Sequence, residues 1–388
     1  MNVVFVIQRY GEEVAGGAET LCRQTAEALA DAGHSVRVHT TTARDYLTWA
    51  AYYPAGVVTD GRVTVHRHAV SDADPAVASA LVRRLALDAS NEDAERAWAL
   101  AQGPVAPGLV DSVRGMDAGE LLVCWTYLYA TTQLAMAAAT GPTVLVPLAH
   151  NEPMLRFPIT RGVMRRADGF AFMTPEEALL VDDLHGIDGR HVEIVGAGLV
   201  PATAPEAGTA RTAFALPDRF ALYLGRIDPA KGVDELLRAH AAYRARGGEL
   251  GLVLAGRATV PMEFPDWVVA TGFVTEEHRA SLIDAATCVV LPSRHESLSL
   301  VALETWQRNT PTLANGHSEV LAGQTRRSGA GRIYLDEGEY ARELERIAGN
   351  PTEGRAMGMR GAAFASDATW PDCVERWERL LWAVAGEI

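Results

Sequence analysis

The chain has 388 residues, of which 48% are hydrophobic and 22% are charged, and its formal net charge at pH 7 is −14. This composition is typical of a globular protein, and a chain of this length is expected to form two domains with separate cores. Acidic residues outnumber basic residues in both halves, so neither half offers the positive field that nucleic acid requires. No nucleic-acid partner is therefore expected. Among the 35 basic residues, Lys231 is the single lysine.

The cysteines and the N-terminus indicate a cytoplasmic protein. Cys22, Cys124, Cys288 and Cys373 lie far apart and form no Cys-x-x-Cys pair, so we expect buried thiols in a reducing compartment. The apolar run at residues 3–7 lacks the basic region and the cleavage site of a signal peptide.

The first half of the chain alternates predicted strands with predicted helices. Strands are expected at residues 3–7, 35–40, 63–65, 121–124, 143–148 and 169–173, and the first helix at 18–32, ended by Gly33. Residues 121–149 carry no charge and are long enough for a membrane span, but Gly141-Pro142 interrupts them. We interpret this stretch as strand, helix and strand in a parallel sheet.

The alternation restarts after a linker-like segment at residues 196–205. Further strands are predicted at 220–224, 250–255, 268–271, 288–291, 312–314 and 332–335, and helices at 232–245, 276–286, 298–307, 340–348, 352–365 and 371–385. The predicted fold is α/β, with two doubly wound, Rossmann-like domains at 1–198 and 199–369 and a last helix at 370–388 that crosses back. A ligand is expected in the cleft between the domains.

Two loops that follow predicted strands carry candidate binding residues. Gly16 and Gly17 precede the first helix, where they indicate either a flexible turn or the close approach of an anion or a sugar. Arg226 and Lys231 follow the strand at 220–224, and an arginine fork beside a mobile ammonium suits a diphosphate. The alternative is a pair of solvated surface charges. The presence of the chain's single lysine at this position argues against that alternative.

A third segment follows the strand at 288–291. Glu296 and Glu304 lie eight positions apart, and the backbone amides of Ser297–Leu300 could meet a phosphate at a helix N-terminus. In the alternative interpretation, Glu296 interacts with the dipole at the helix N-terminus and Glu304 is a surface acid. If both carboxylates are helical, their backbones lie about 12 Å apart, which favours binding over acid and base hydrolysis.

No metal site is expected from the sequence. Asp72 and Asp74 form an Asp-x-Asp element, but Asp74 followed by Pro75 is typical of a helix N-terminus. His66 and His68 share one face of a strand and lack the further ligands of a zinc site.

Together these stretches resemble the retaining nucleotide-sugar glycosyltransferases of glycosyltransferase family 4, the glycosyl transferases group 1, which have the GT-B fold. The most specific element is Glu-x7-Glu, from Glu296 to Glu304 in PSRHESLSLVALETWQRNTPTLA. LGRIDPAKGVDELLRAH, AGGAET, PLAHNEP and the closing WPDCVERWERLL extend the resemblance over nearly the whole chain.

The resemblance implies roles for individual residues. Arg226 and Lys231 would hold the donor diphosphate, together with the backbone amides of Leu298–Leu300. Glu296 would bind the donor sugar, Glu304 the ribose, and His150 would lie beside the sugar. Gly17 would pack near the diphosphate or the acceptor. The expected catalytic residues are His150, Arg226, Lys231 and Glu296, and the expected donor-binding residues are Gly16, Gly17, Gly225, Phe273, Ser297, Leu298, Ser299, Leu300 and Glu304.

The sequence departs from the family at three positions. Ser299 and Asn309 stand where the family usually has glycine, and Trp306 stands at a normally small position. Asn309 is compatible with a left-handed helix cap. Ser299 and Trp306 leave the shape of the sugar pocket, and hence the choice of donor sugar, open.

The implied function is a retaining, metal-independent transfer of a sugar from a nucleotide-diphosphate sugar, with UDP- or GDP-sugar favoured and no cofactor. The acceptor would be a glycan, a glycolipid precursor or a small metabolite. Alternatives are an epimerase or hydrolase of the same fold and a non-catalytic sugar-nucleotide-binding protein. An oligomeric state is not indicated.

Two clusters bear on the acceptor and on localisation. Tyr46, Trp49, Tyr52 and Tyr53 either line the acceptor side or pack in a core. The cluster of Arg156, Arg161, Arg165 and Arg166 suggests either peripheral contact with the inner face of a membrane or a solvated surface.

Overall fold

The structure, a computed structural model, describes residues 1–14, 16–46, 48–71, 74–85, 91–203, 205–206, 208–259 and 261–386. They form two compact units. The first unit comprises Met1–Ala197 with Trp370–Ile388, and the second comprises Gly198–Thr369. Each unit is an α/β layer structure around a largely parallel sheet, which confirms the predicted fold class.

The first unit contains an eight-stranded sheet. Its strands are β1 (Asn2–Val6), β2 (Ser35–Thr41), β3 (Gly56–Asp60), β4 (Val63–His68), β5 (Glu120–Trp125), β6 (Thr143–Val146), β7 (Gly169–Phe172) and β8 (His191–Ile194). Its helices before the linker are α1 (Gly17–Asp31), α2 (Pro75–Leu85), α3 (Glu92–Gln102), α4 (Pro107–Arg114), α5 (Ala130–Ala138), α6 (Pro158–Arg166) and α7 (Pro175–His185). The strand order is β3-β4-β2-β1-β5-β6-β7-β8, and among the described strand pairs only β3 and β4 are antiparallel.

The second unit contains a six-stranded sheet in which the described pairs are all parallel. Its strands are β9 (Phe220–Leu224), β10 (Gly251–Ala255), β11 (Val268–Gly272), β12 (Cys288–Leu291), β13 (Thr312–Asn315) and β14 (Gly331–Tyr334), in the order β11-β10-β9-β12-β13-β14. Its helices are α8 (Thr209–Ala213), α9 (Val233–Ala245), α10 (Glu276–Ala285), α11 (Leu300–Gln307), α12 (Glu319–Ser328), α13 (Glu337–Gly349) and α14 (Pro351–Ala365). Because β9 and β12 are neighbours, the loops that follow them meet at one edge of the sheet.

The last helix, α15 (Trp370–Ala385), packs on the first unit. The ring of Trp377 lies 6.3 Å from Phe5 and 6.0 Å from Trp125, centroid to centroid. The Arg376 Nε atom donates a hydrogen bond of 3.0 Å to the carbonyl of Val195. Buried aromatic area and this capped carbonyl together hold the helix on the sheet.

The uncharged stretch at 121–149 folds as β5, α5 and β6, as predicted. Both strands are fully buried, because parallel strands are covered by helices on two faces. Among the helices of the described residues, none combines the length and the apolar character needed to span a membrane. The four cysteines are buried and free, as expected, and burial raises the pKa of the Cys288 thiol to about 12.

Several elements differ from the prediction. The sequence analysis did not predict β3, which is an edge strand. Its residues Val57 and Val58 are both exposed, so the strand lacks the alternation of apolar and polar residues that marks a half-buried strand. Nor were α12 and β8 predicted. The predicted helix at 298–307 begins at Leu300, so the free amides at its N-terminus belong to different residues than expected.

Candidate functional site

The loop after β9 holds Arg226 and Lys231 in a fixed conformation. The Oδ1 atom of Asp228 accepts a hydrogen bond of 2.8 Å from the amide of Ala230, and its Oδ2 atom accepts one of 2.8 Å from the Thr259 hydroxyl. The hydroxyl of Tyr223 donates to the Arg226 carbonyl at 2.5 Å. A short 3₁₀ turn, Pro229–Lys231, then leads into α9. The two cations thus leave a loop whose backbone is already ordered by hydrogen bonds.

Lys231 and Glu296 form an ion pair across the carboxyl ends of β9 and β12. The Lys231 Nζ atom lies 2.9 Å from Oε1 of Glu296, and the two side chains are 33% and 18% exposed. Both groups can therefore contact a ligand from solvent. The structure brings together two predicted site residues that are 65 positions apart in the sequence.

Gly232 allows the loop to lie close to the segment that leads to Glu296. Its φ is +76°, and a Cβ atom at this position would lie 2.5 Å from the carbonyl oxygen of Pro292. A residue other than glycine would meet both backbone strain and a collision with backbone. Gly225, with φ of +143°, also has a conformation that favours glycine. These two glycines shape the loop, whether or not they contact a ligand.

The N-terminus of α11 corrects one expectation. Ser299 is the N-cap, and its hydroxyl accepts a hydrogen bond of 3.2 Å from the amide of Ala302. The amide of Ser299 itself donates to Oε1 of Gln324 at 3.4 Å. Ser299 therefore already has a local role, because a serine N-cap satisfies a helix amide. The amides of Leu300 and Val301 open the helix and can meet an anion, since the first turn has no intrahelical acceptor for them.

Glu304 lies within α11 and faces a cation that the sequence analysis did not single out. Arg279 of α10 forms an ion pair with it through Nη2 and Oε2. Burial raises the pKa of Glu304, and the Arg279 guanidinium acts in the opposite direction. Glu296 and Glu304 thus have different partners, Lys231 and Arg279, and do not form a carboxylate pair. Only the fold identifies Arg279, because the two residues are 25 positions apart in the sequence.

Phe273 follows β11 and is 77% exposed. An exposed aromatic ring at the carboxyl edge of the sheet presents a flat apolar face to a ligand. Ser297 is buried and Leu298 is half-buried, both in the segment before α11.

Trp306 and Asn309 have structural roles. Trp306 is fully buried, donates a hydrogen bond of 3.2 Å to the Thr312 hydroxyl and stacks edge-on against Phe364. Trp306 therefore belongs to the core of the second unit. Asn309 has φ of +57°, the left-handed conformation expected for a residue replacing glycine after a helix.

His150 belongs to the first unit and follows β6. Its Nδ1 atom lies 3.8 Å from Oε1 of Glu152, and the same oxygen accepts a hydrogen bond of 2.5 Å from the Tyr127 hydroxyl. Burial raises the pKa of Tyr127 well above its usual range. The sequence analysis singled out neither Glu152, which lies in the motif that contains His150, nor Tyr127, which follows β5.

Glu177 fixes the backbone that leads to His150. Its carboxyl group is fully buried and accepts hydrogen bonds from the amides of Ala149, at 2.7 Å, and Met173, at 2.8 Å. Burial raises the pKa of Glu177 to about 8. Leu148 has φ of +50°, an uncommon conformation for leucine. Sequence reasoning missed Glu177 because nothing local distinguishes it from a first-turn helix acid.

The glycine pair before α1 divides into one structural residue and one open position. A Cβ atom on Gly16 would collide with the Glu19 carboxylate, which pairs with buried Arg9 at 2.5 Å. A Cβ atom on Gly17 would meet no atom within 4 Å. The packing of the protein therefore requires glycine at position 16 but not at position 17. The open space beside Gly17 can admit a ligand.

The aromatic cluster of the first unit is partly core and partly surface. Trp49 is buried and donates a hydrogen bond of 2.8 Å to the Gln102 carbonyl. Tyr52 is 50% exposed and lies under the Arg44 guanidinium, 3.9 Å from its ring centroid. Arg67 stacks on Tyr53 at the same distance of 3.9 Å. Tyr46 lies beneath Arg9 at 5.3 Å, so three arginine–tyrosine stacks share this region.

Asp74, His66 and His68, which were weighed for a metal, have other partners. The Asp74 carboxylate accepts hydrogen bonds from the amides of Ala76 and Val77, both at 3.1 Å, as a helix cap would, and Asp72 lies outside the described residues. His68 contacts His39 at 3.0 Å. Within the described part of the chain, no group of three or more histidine, cysteine, aspartate or glutamate residues could hold a metal ion.

The arginines considered for membrane contact are exposed in and around α6. Arg156 donates to the Asn151 side chain at 2.7 Å, and Arg166 donates to the carbonyl of Gly162 at 3.1 Å. This arrangement is typical of a solvated helix face.

Comparison with known proteins places these features in a family context. The model of the family described as glycosyl transferases group 1 matches residues 218–350, a segment of the second unit that includes Arg226, Lys231 and Glu296. The D-inositol 3-phosphate glycosyltransferase of Mycobacterium tuberculosis (strain ATCC 25618 / H37Rv) is 29% identical over 269 residues, which cover 64% of this chain and 53% of that protein. The chain thus spans about half the length of the curated relatives it matches.

Solved structures match the chain over its whole length. Sucrose-phosphate synthase from Thermosynechococcus elongatus has a TM-score of 0.72 at 18% identity, with 100% of both chains covered. An E. coli structure described as trehalose-6-phosphate bound with UDP-2-fluoro glucose has a TM-score of 0.70 at 12% identity, again with 100% of both chains covered. The chain therefore has the GT-B fold of two Rossmann-like units, and its second unit carries the segment that matches the glycosyl transferases group 1.

Proposed function

We propose that the chain is a retaining glycosyltransferase of family 4 that transfers a sugar from a nucleotide-diphosphate sugar without a metal ion. The ion pair between Lys231 and Glu296 carries this proposal. It places a mobile cation and a hydrogen-bonding carboxylate side by side at the carboxyl edge of a doubly wound sheet, where such folds bind nucleotides. Arg226 lies in the same loop, and the segment matches the glycosyl transferases group 1.

The donor diphosphate is the group that these cations suit. When the sugar leaves, negative charge grows on the diphosphate, and positioned cations stabilise that charge. Arg226 and Lys231 supply two positive charges, and the first amides of α11 add the positive end of a helix dipole. Glu296 then orients the sugar hydroxyls next to the same phosphate oxygens.

The reaction proposed is a front-face displacement. The bond between the anomeric carbon and the diphosphate oxygen breaks, and the acceptor oxygen bonds to the same face of that carbon. The acceptor proton passes to a phosphate oxygen of the leaving diphosphate. His150 contacts the donor sugar, and its backbone is held through Glu177 and Ala149.

The nucleotide is proposed to bind at the other end of α11. Glu304 accepts hydrogen bonds from the ribose hydroxyls, and the exposed ring of Phe273 stacks on the base. UDP-sugars and GDP-sugars are the first donors to test, because one of the similar solved structures is described with UDP-2-fluoro glucose.

The acceptor is proposed to be a carbohydrate, a lipid-linked sugar or a small polyol, with phosphorylated sugars and cyclitols tested first. Names of similar proteins include D-inositol 3-phosphate glycosyltransferase and sucrose-phosphate synthase. Arg44 and Arg67 offer cations stacked on tyrosine rings in the first unit, a combination that suits a phosphorylated sugar. The proposed location is the cytoplasm. If the acceptor is lipid-linked, the protein would also contact the inner face of the membrane peripherally.

A donor screen with a charge-removal variant tests the proposal. UDP-, GDP-, ADP- and TDP-glucose are incubated with the protein, and nucleotide release and sugar products are measured by chromatography, with and without acceptors. Lys231→Met removes the charge and keeps most of the stem. We expect kcat to fall about 10²- to 10³-fold, as for loss of one preorganised donor to a developing anion.

The matched control is Arg342→Met, which removes an exposed cation of α13 that pairs only loosely with Glu339, at 3.4 Å. Its turnover should stay within about twofold of the parent, since an exposed pair contributes little. Turnover of Lys231→Met within a few fold of the parent would contradict the proposal. A released epimer or free sugar with every acceptor indicates an epimerase or hydrolase instead, and donor binding without any turnover indicates a binding protein.

A further inference from the structure

A cavity of about 470 Å³ lies in the second unit at the amino end of β14. Residues from the end of α12, the start of β14 and the helices α13 and α14 line it. Lys231 and Glu296 follow the carboxyl ends of β9 and β12, and all strands of this sheet run parallel. The cavity therefore lies at the opposite edge of the sheet from the candidate donor site and is distinct from it.

The cavity concentrates positive charge in an acidic chain. Its charged lining residues are Arg326, Arg332, Arg346, Arg360, Glu343 and Glu353, so its formal charge is +2. The whole chain, by contrast, has a net charge of −14. We call this feature the arginine cavity.

The ion pairs inside the arginine cavity leave cationic groups in excess. Glu343 is shared by two guanidinium groups, with Arg332 at 3.4 Å and Arg346 at 2.5 Å. Arg360 pairs with Glu353 at 3.1 Å. Arg326 has no acidic partner among the residues that the structure describes.

Two buried polar atoms in the lining also lack a partner within the described chain. Thr325 is 3% exposed, and its Oγ1 atom makes no hydrogen bond. The Nε atom of Arg332 is buried without an acceptor, although its Nη1 atom pairs with Glu343. A buried donor without an acceptor is unfavourable, and proteins normally satisfy such groups. Both atoms are closed to solvent, so a ligand in the cavity would meet the exposed guanidinium groups of Arg326, Arg346 and Arg360 instead.

We propose that the arginine cavity binds a phosphomonoester of a small molecule. A phosphomonoester carries a charge of about −1.5 to −2 at pH 7 and three strong acceptor oxygens, which match the excess of +2 and the exposed guanidinium donors of the lining. Guanidinium groups bind phosphate through paired hydrogen bonds. The volume exceeds that of a phosphate group, so the organic part of the ligand also enters. Ile333 and Met357 supply its apolar contacts.

The test uses glycerol 3-phosphate and inorganic phosphate as probes in calorimetric titrations. Because the candidate donor site also binds phosphate, the titrations are carried out on Lys231→Met as well as on the parent. The double variant Arg326→Ala and Arg346→Ala removes the whole excess of positive charge. Both residues are exposed, so the variant should keep its fold, which circular dichroism and melting curves verify.

We expect glycerol 3-phosphate to bind saturably to the parent and to Lys231→Met with similar affinity, more tightly than inorganic phosphate, and more weakly at higher salt. The double variant should weaken binding at least about tenfold, as expected for lost charge-assisted hydrogen bonds. The control is Arg355→Ala, an exposed arginine of α14 outside the cavity lining, which should bind within about twofold of the parent.

Three results would overturn the proposal. The first is the absence of saturable binding up to about 10 mM probe. The second is unchanged binding in the double variant or equal weakening in Arg355→Ala, either of which would mean that the cavity arginines hold no phosphate. The third is binding that Lys231→Met abolishes and the double variant retains, which assigns the phosphate to the donor site. These results are independent of sugar transfer, so they can be told apart from failure of the proposed function.

Discussion

A stack of three histidines makes the first unit sensitive to acid. His39 on β2 is 4% exposed, and its ring stacks at 4.6 Å on His66 and at 5.3 Å on His68, both on β4. Burial lowers the pKa of His39 to about 3, and the neighbouring His66, His68 and Arg37 act in the same direction. The folded protein therefore keeps His39 neutral at a pH where the unfolded chain protonates it.

The sign and size of the effect follow from this difference. An unfolded histidine has a pKa near 6.5, so the stability contribution is complete above that pH and is lost as the pH falls toward 3. One pKa unit corresponds to about 1.4 kcal/mol, so from pH 7 to pH 5 the free energy of unfolding should fall by about 2 kcal/mol because of His39. Burial also lowers the pKa of His66 and His68, which steepens the loss.

The perturbation that isolates this effect is His39→Phe. A phenyl ring keeps the stack on His66 but cannot be protonated, and it loses the 3.0 Å contact with His68. The variant should be about 1 kcal/mol less stable at pH 7, because a buried hydrogen bond is lost. From pH 7 to pH 5, however, it should lose about 2 kcal/mol less than the parent.

Urea unfolding at pH 5, 6, 7 and 8, extrapolated to zero denaturant, measures these free energies. Hydrogen exchange of peptides from β2 and β4 assigns the change to the first unit. His191→Gln serves as the control, because His191 is exposed at the edge of the same sheet and is solvated in both states. If His39→Phe and the parent lose the same free energy between pH 7 and pH 5, the reasoning is refuted.

The remaining predictions concern the candidate site. Gly232→Ala should lower the free energy of unfolding by about 2 to 3 kcal/mol in urea titrations, because the new Cβ atom is strained and lies 2.5 Å from Pro292 O. Gly17→Ala should stay within about 0.5 kcal/mol of the parent, since its Cβ atom meets nothing within 4 Å, yet raise the KM of donor or acceptor. An unchanged KM would remove Gly17 from the site. Arg279→Ala removes the cation that lowers the pKa of Glu304, so the Glu304 carboxylate should become protonated at a higher pH than in the parent. As the pH is lowered from 8 to 5, UDP binding, measured by calorimetry, should therefore begin to weaken at a higher pH in the variant. Identical pH profiles would argue against a ribose role for Glu304.

The candidate site was only partly predictable from the sequence. Lys231 and Glu296 each follow an apolar strand pattern, which marks both as candidates, and only the family resemblance assigned them to one donor site. Arg279 and Tyr127 were missed because their contacts with Glu304 and Glu152 span 25 residues in each case and leave no periodic signal. Ser299 had a local signal, since a serine before an apolar helix is a typical N-cap.

By itself, the sequence determined the order of strands and helices along most of the chain, the positions of several turns and the candidate residues for a diphosphate site. These properties depend on local periodicity and on single residues such as glycine and lysine. Tertiary structure alone decided which charges pair, that Trp306 lies in a core, and that four arginines surround one cavity. The physical reason is that burial and ion pairing depend on the spatial order of the strands, β11-β10-β9-β12-β13-β14 in the second unit, which differs from their order along the chain.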